Sequence, residues 1–206
     1  MGAPTSPRPG TVRTGGRTAR VRAAVLAAAL EELAEYGYGG MSAARIAQRA
    51  GVHRTTVHRR WSALDELVTE ALIDDAAAAV PTPDSGDVRQ DLALLLRSIA
   101  ALISAPDTRG LIRSLVADAA RSPAIGAVVA RVWRARFAAG EKVVARGVSR
   151  GEVRDDVPPA TILTAFTGPL YLRLLLTDEP LDEAFLDEVL EIGLQGALAR
   201  PGDARR

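Results

Sequence analysis

Three residues between Ala43 and Trp61 constrain this chain more than any others: Ala47, Gly51 and Val57. A small residue at the first lets two helices cross closely. A glycine four positions on takes the left-handed turn conformation, and Val57, six further, packs the second helix back on the first. Ile46, Ala50 and Val52 complete the apolar seam. The residues that avoid it, His53, Arg54, Thr55, Thr56, His58, Arg59 and Arg60, form one polar and basic face suited to a major groove. A solvated face on an ordinary helical hairpin shares this spacing, and the charge distribution favours the groove reader.

That distribution is uneven although the net charge is only +1. Up to Trp61 the chain holds ten arginines (8, 13, 17, 20, 22, 45, 49, 54, 59, 60) against Glu31, Glu32 and Glu35, a balance of +7; the remainder, with 16 basic and 22 acidic residues, is −6. Counterion release rewards local positive charge, so a basic head on an acidic body points to a polyanion partner for the head, nucleic acid first.

Apolar periodicity is helical throughout, which predicts an all-α chain of nine helices. Residues 1–16, rich in Pro, Gly, Thr and Arg, read as a flexible basic arm. Residues 17–80 read as the helix-turn-helix domain. Its first helix starts at Arg17 and ends at the Tyr36–Gly40 breaker. Ser42 caps a second helix through Ala50, the recognition helix spans about 53–61, and Ser62 caps a fourth through Ala79. The turn-rich run Pro81 to Gly86 connects this head to a helical domain at 86–200. There Leu92 to Ile103, Leu111 to Val116 and Ile125 to Val144 mark helices five to seven. Pro158 and Pro159 open the eighth, about Thr161 to Leu176, which Gly168 and Pro169 interrupt. Asp182 to Ala199 form the ninth, and Pro201 ends it.

Zero cysteines exclude disulfides, thiolate zinc sites and a cysteine nucleophile, and fit a reducing, cytoplasmic setting. No apolar run approaches the roughly 18–20 residues that cross a bilayer, so no membrane partner is expected. His53 and His58 are five apart, whereas two metal ligands on one helix face need three or four, so no metal is expected. The acidic pairs Asp155–Asp156 and Asp178–Glu179 lie beside prolines in turns. With no glycine-rich phosphate loop or serine elbow either, neither an enzyme nor a cofactor is expected.

The run from Arg17 to Ala71, above all "MSAARIAQRAGVHRTTVHRRWSALDELVTEAL", resembles the DNA-binding domain of the tetracycline-repressor (TetR) family of bacterial transcriptional regulators. The segments "RVWRARFAAGEKVVARGVSRGEV" and "FTGPLYLRLLLTDEPLDEAFLDEVL" resemble the C-terminal domain of one branch of that family. The resemblance implies a homodimer that represses by binding a pseudopalindromic double-stranded DNA operator and lets go when a small molecule enters the body. It implies that Ser42 meets a phosphate; that His53, Arg54 and Thr55 reach base edges, with Arg54 gripping a guanine; and that Thr56, His58 and Arg59 hold phosphates, with Arg45 of the second helix also among the DNA-binding residues. Three positions depart from the family pattern. His58 stands where a tyrosine is usual, Leu64 where a lysine commonly touches the backbone, and Trp61, expected in the core, where phenylalanine is commoner. The arm, with Arg8, Arg13 and Arg17, offers compensating contacts.

Trp133, Phe137, Phe166 and Tyr171 fall on helices that the family uses for its ligand cavity. With Leu96 and Ile99 they make the expected effector pocket, apolar enough to call for a largely hydrophobic effector. Apolar stripes on the last two helices, Leu163, Phe166, Leu170 and Leu174 with Phe185, Val189, Ile192 and Gly196, suit the four-helix dimer bundle of the family. A second reading is a helical small-molecule-binding protein whose basic head touches nucleic acid without sequence preference.

Overall fold

The computed structural model describes residues 15–198. The chain runs α1 (Gly15–Gly40), α2 (Ala43–Arg49), α3 (Arg54–Arg60), α4 (Leu64–Ala79), α5 (Val88–Ser104), α6 (Pro106–Ala119), α7 (Pro123–Ser149), α8 (Pro159–Leu172), a π-helical turn (Arg173–Thr177) and α9 (Glu183–Ala197). All nine expected helices are present. Of the arm expected at 1–16, residues 1–14 lie outside the described residues, as does the stop at Pro201, whereas Gly15 and Gly16 already belong to α1.

In the head, Val25, Leu26 and Ala29 of α1 meet Ile46 and Ala47 of α2, Val57 and Trp61, and Leu67 and Ala71 of α4. Gly51 holds φ +64, and the Val52 N–H donates to the Ala47 carbonyl across the turn, so the spacing that organises the sequence closes as a tight helix–helix corner. Gly37, at φ +63, breaks α1 and re-aims its last turn toward α2. Trp61 is core, its indole N–H donating to Glu70 Oε2 at 2.7 Å.

Two expected caps differ in detail. Ser42 occupies the cap position of α2 with no side-chain bond to the helix; its N–H donates instead to Glu32 Oε1 at 3.1 Å. Ala63, not Ser62, caps α4, and Ser62 donates from both N and Oγ to Glu66 one turn in. That places a carboxylate over the helix N-terminus in the manner of a shifted capping box.

The body packs α5, α7, α8 and α9 around Leu92, Ile99, Ile103, Val143, Val144, Phe166, Leu170 and Leu174. Small residues set the crossings: a Cβ on Gly140 would stand 2.9 Å from Leu163, one on Gly147 2.7 Å from Val88, and one on Gly193 2.5 Å from Phe166. A third cluster, Leu33 and Val68 with Leu115, Ile125 and Val128, joins α1 and α4 to α6 and α7, so α4 belongs to both halves. The connection at 81–86 lies against the body. Arg146 donates to the Pro83 carbonyl and pairs with Asp84, and the Ser85 N–H reaches the buried Asp91.

Helix α8 is not interrupted at Gly168 and Pro169. Gly168 has no Cβ to clash with the following proline ring, so the helix passes through and widens into the π turn only at Arg173. The ninth helix closes at Ala197, two residues before the expected end, because Leu198 turns extended to bridge Val153. The stretch Pro159–Thr177, 19 residues of mean hydropathy 1.3, is long and apolar enough by length and composition to cross a membrane, contrary to the expectation of no such run. Interspersed threonines and glycine hide it as a run, and only Arg173 carries charge. In this fold its Leu163, Phe166, Leu170 and Leu174 are the centre of the body core.

Candidate DNA-binding face and effector cavity

The outer surface of α3 carries His53, Arg54, Thr55, His58, Arg59 and Arg60, all exposed, with Thr56 half-buried. His53 caps α3: its Nδ1 accepts from the Thr55 N–H and lies 2.8 Å from Thr55 Oγ1. Arg54 Nε donates to His58 Nε2 at 3.1 Å, aligning the two along one edge. Arg59 and Arg60 have no carboxylate partner among the described residues, Arg60 lying 5.4 Å over the Trp61 ring. Arg17, Thr18 and Val21 of α1 face the turn and α3 across a basic notch lined also by His53, Thr56, Arg59 and Arg60. His53, Arg54, Thr55, Thr56, His58 and Arg59 of the expected DNA-binding set therefore share one ridge and its flank.

Arg45 and Ser42 stand apart from that ridge. Glu32, fully buried, accepts from Arg45 Nε at 2.6 Å and from the Ser42 N–H, and faces Arg49 Nε at 3.3 Å. The Arg45 guanidinium also lies 4.3 Å over the Tyr36 ring and bonds the Gly40 carbonyl. Both residues are engaged with the head interior, and this knot fixes how α2 sits on α1. Arg22 likewise pairs with Glu70 at 2.6 Å and Asp74 at 2.8 Å, tying α1 to α4. The hydrogen bonds that Arg22 donates to Asp74 and Glu70 raise its pKa above the ordinary arginine value.

Two cavities flank Trp133 and Arg136 of α7. The first, of about 80 Å³, is lined by Ile73 and Ala76 of α4, Val80 just after it, Ile99 of α5, and Phe137, Leu163, Thr167 and Tyr171. The second, of about 70 Å³, lies between α4, α6 and α7 and is lined by Leu72, Asp75, Leu111 and Leu115 among others. Trp133 meets Phe137 edge-on at 5.8 Å and Tyr171 at 4.6 Å. Burial pushes the Tyr171 hydroxyl up from its ordinary pKa, against the pull of the nearby Arg136, so the phenol stays a neutral donor.

Of the six residues named for the pocket, Ile99, Trp133, Phe137 and Tyr171 line the first cavity. Leu96 and Phe166 do not: Leu96 is buried in the body core away from both cavities, and Phe166 is turned toward Gly193 of α9. Sequence reasoning missed Arg136, Thr167 and the α4 wall. The helical spacing of Ile73, Ala76, Ala77 and Val80, an apolar stripe continuing beyond the head, was the signal for the last.

The expected dimer residues also divide. Leu163, Leu170 and Leu174 are buried within the chain's own core and present nothing to a second copy, because α8 turns those positions toward α5 and α7. Phe185 is covered by the Arg173 guanidinium, 3.5 Å above its ring. Val189 and Ile192 line an open apolar groove of about 260 Å³ between α8 and α9, with Val157, Ala165, Pro169 and Gly196. Ile192 is 71% exposed, and Leu172 at the end of α8 and Leu176 in the π turn are exposed as well. Among the described residues no group of three or more His, Asp or Glu side chains converges as a metal site would require.

Residues 25–71 match the family model described as bacterial regulatory proteins, tetR family, and residues 82–192 the model described as tetracyclin repressor-like, C-terminal domain. The chain is 32% identical over 178 residues to the HTH-type transcriptional regulator AqdR of Rhodococcus erythropolis, covering 85% of this chain and 86% of that one. It is 35% identical over 184 residues to the DNA-binding transcriptional repressor TetR of Mycobacteroides abscessus, covering 87% and 94%. Among solved structures, the TetR family transcription regulator SCO0332 superposes with a TM-score of 0.74 at 27% identity, covering 86% of this chain and 98% of that one. The flavonoid-responsive regulator FrrA shares the fold, with a TM-score of 0.65 at 19% identity over 88% and 99%.

Proposed function

Because the chain belongs to the TetR family of helix-turn-helix transcriptional regulators, we propose that it is a repressor that binds a pseudopalindromic operator as a homodimer and releases it when a small apolar molecule occupies the body. The observation that carries this reading is the double membership of α4. Leu67 and Ala71 of its first half share the head core with α1, α2 and Val57 of the recognition helix, Val68 joins α1 to α6 and α7, and Ile73 and Ala76 of its second half, with Val80 just beyond it, wall the first cavity. Arg131 of α7 pins it further, pairing with Asp65 at 3.0 Å. A ligand that widens the cavity moves the helix on which the head rests.

On the DNA side, Arg54 reads a base edge with His53 and Thr55 beside it. Thr56, His58, Arg59 and the Ser42 hydroxyl take phosphates, and Arg45 supports the ridge through its bond to Glu32 while its exposed part faces the backbone. Dimerisation uses the α8–α9 groove with Ile192, Leu172 and Leu176, an apolar surface that a second copy would cover. Two-fold symmetry then sets the recognition helices about 34–36 Å apart or more on one duplex face. By linkage, an effector that weakens DNA binding must itself bind more weakly when DNA is bound.

The test is selection of binding sequences from a random duplex pool at near-physiological salt. A palindromic consensus is expected. An unenriched pool would instead favour the second reading, a small-molecule-binding protein with nonspecific nucleic-acid contacts.

A further inference from the structure

The arginines of α7 are nearly all committed. Arg131 pairs with Asp65, Arg146 with Asp84, and Arg134 Nε bonds the Ala130 carbonyl one turn back. Arg136 is the exception. Half-buried, it lines both cavities and makes no ion pair or hydrogen bond among the described residues. A cation drawn partly out of water with no counter-charge is unfavourable unless something supplies one.

The two sides of Arg136 differ. In the second cavity the exposed Asp75 of α4 shares the lining, so negative charge is already present there, though beyond ion-pair distance. No carboxylate of the described residues lines the first cavity. On that side Arg136 is accompanied by two other donors without partners among the described residues, the Trp133 indole N–H and the Tyr171 hydroxyl. Thr167 Oγ1 is already spent on the Leu163 carbonyl at 2.9 Å. Apart from the exposed Thr82 the rest of the wall is aliphatic or aromatic, and Trp133 already meets Phe137 and Tyr171 edge to face, the arrangement that also receives a further ring.

We propose that the effector is an apolar, ring-bearing organic anion, such as a carboxylate, sulfonate or enolate, seated in the first cavity with its oxyanion on Arg136 and its ring among Trp133, Phe137 and Tyr171. This rests on the reading of that cavity as the effector site and adds the charge and class of its occupant. The free space is smaller than the roughly 150 Å³ engineered cavity that holds benzene. The ligand therefore enters by displacing side chains on the α4 wall, which is the displacement that reaches the head.

A matched pair of probes isolates the charge. 1-Anilinonaphthalene-8-sulfonate and N-phenyl-1-naphthylamine share one ring system and differ by the sulfonate. Both are titrated calorimetrically into the full-length protein, into Arg136→Gln and Arg136→Lys, and into Ala77→Trp, which places an indole at the exposed α4 edge of the same cavity. The expected result is a preference for the anion of about tenfold or more in the unmodified protein, the size of a charge-assisted hydrogen bond. Arg136→Gln loses that preference with the neutral probe unaffected, Arg136→Lys recovers part of it, and Ala77→Trp weakens both probes. Equal binding of the two probes, or a preference that survives Arg136→Gln, overturns the anion inference and leaves the cavity reading standing. Two probes indifferent to Ala77→Trp overturn both.

Discussion

Arginine does different work in the head and in the body. Every described body arginine except Arg134 and Arg136 has a carboxylate within ion-pair reach, and many of these pairs bridge helices: Arg89 to Glu191, Arg97 to Glu183 and Asp187, Arg109 and Arg113 to Asp178. In the head the division is by side. Arg22, Arg45 and Arg49 are tied to Glu70, Asp74 and the Glu31–Glu32–Glu35 row, whereas Arg17, Arg20, Arg54, Arg59 and Arg60 have no acid partner among the described residues. Clustered cations repel one another, so a ridge of them marks where an outside polyanion belongs. The same logic singles out Arg136 inside the body.

Variants can break this contrast. The largest effect is expected at Glu32→Ala, which removes the buried acceptor that commits Arg45 and Arg49 and leaves the Ser42 N–H unpaired. Because both arginines still reach water, the loss is about 2–3 kcal/mol rather than the full penalty of a stranded buried charge. Urea unfolding measures it, and DNA affinity falls with it as α2 loosens. Next is Gly193→Ala. Its Cβ would meet Phe166 at 2.5 Å, overpacking the α8–α9 crossing by about 1–3 kcal/mol and lowering the melting temperature.

Arg59→Ala should leave stability alone while weakening binding to all duplexes and lowering the salt slope of binding by about one. The smallest effect belongs to Arg97→Ala. Its pair with Glu183 and Asp187 is exposed, so stability changes by about 1 kcal/mol or less and the salt slope not at all. A change in salt slope for Arg97→Ala matching that for Arg59→Ala would erase the distinction between the two halves.

The head was the legible half because its decisive contacts are local. Ala47, Gly51 and Val57 lie within one corner, and its polar face can be read by subtraction. The body crossings join Gly140 to Leu163, Gly147 to Val88 and Gly193 to Phe166, partners 23 to 59 residues apart. Periodicity tells which positions are apolar and not which neighbour they meet. For that reason Leu163, Leu170 and Leu174 read as a dimer stripe although they face inward, and Phe166 as a pocket residue although it fills a glycine notch. Arg45 read as a surface cation because its buried partner, Glu32, sits thirteen residues back on another helix. Arg136 was hidden for the opposite reason: a free arginine on a helix full of arginines is visible only once the partners of the others are known.

The central claim, that the α3 ridge reads sequence, is tested most directly by the ratio of affinities for a selected duplex and a scrambled one, measured for the unmodified protein and for Arg54→Ala at fixed salt. The account predicts that Arg54→Ala lowers the ratio by about tenfold or more while binding to the scrambled duplex weakens only modestly. A ratio that is unchanged, with both affinities falling together, would contradict it and leave α3 a phosphate-binding surface.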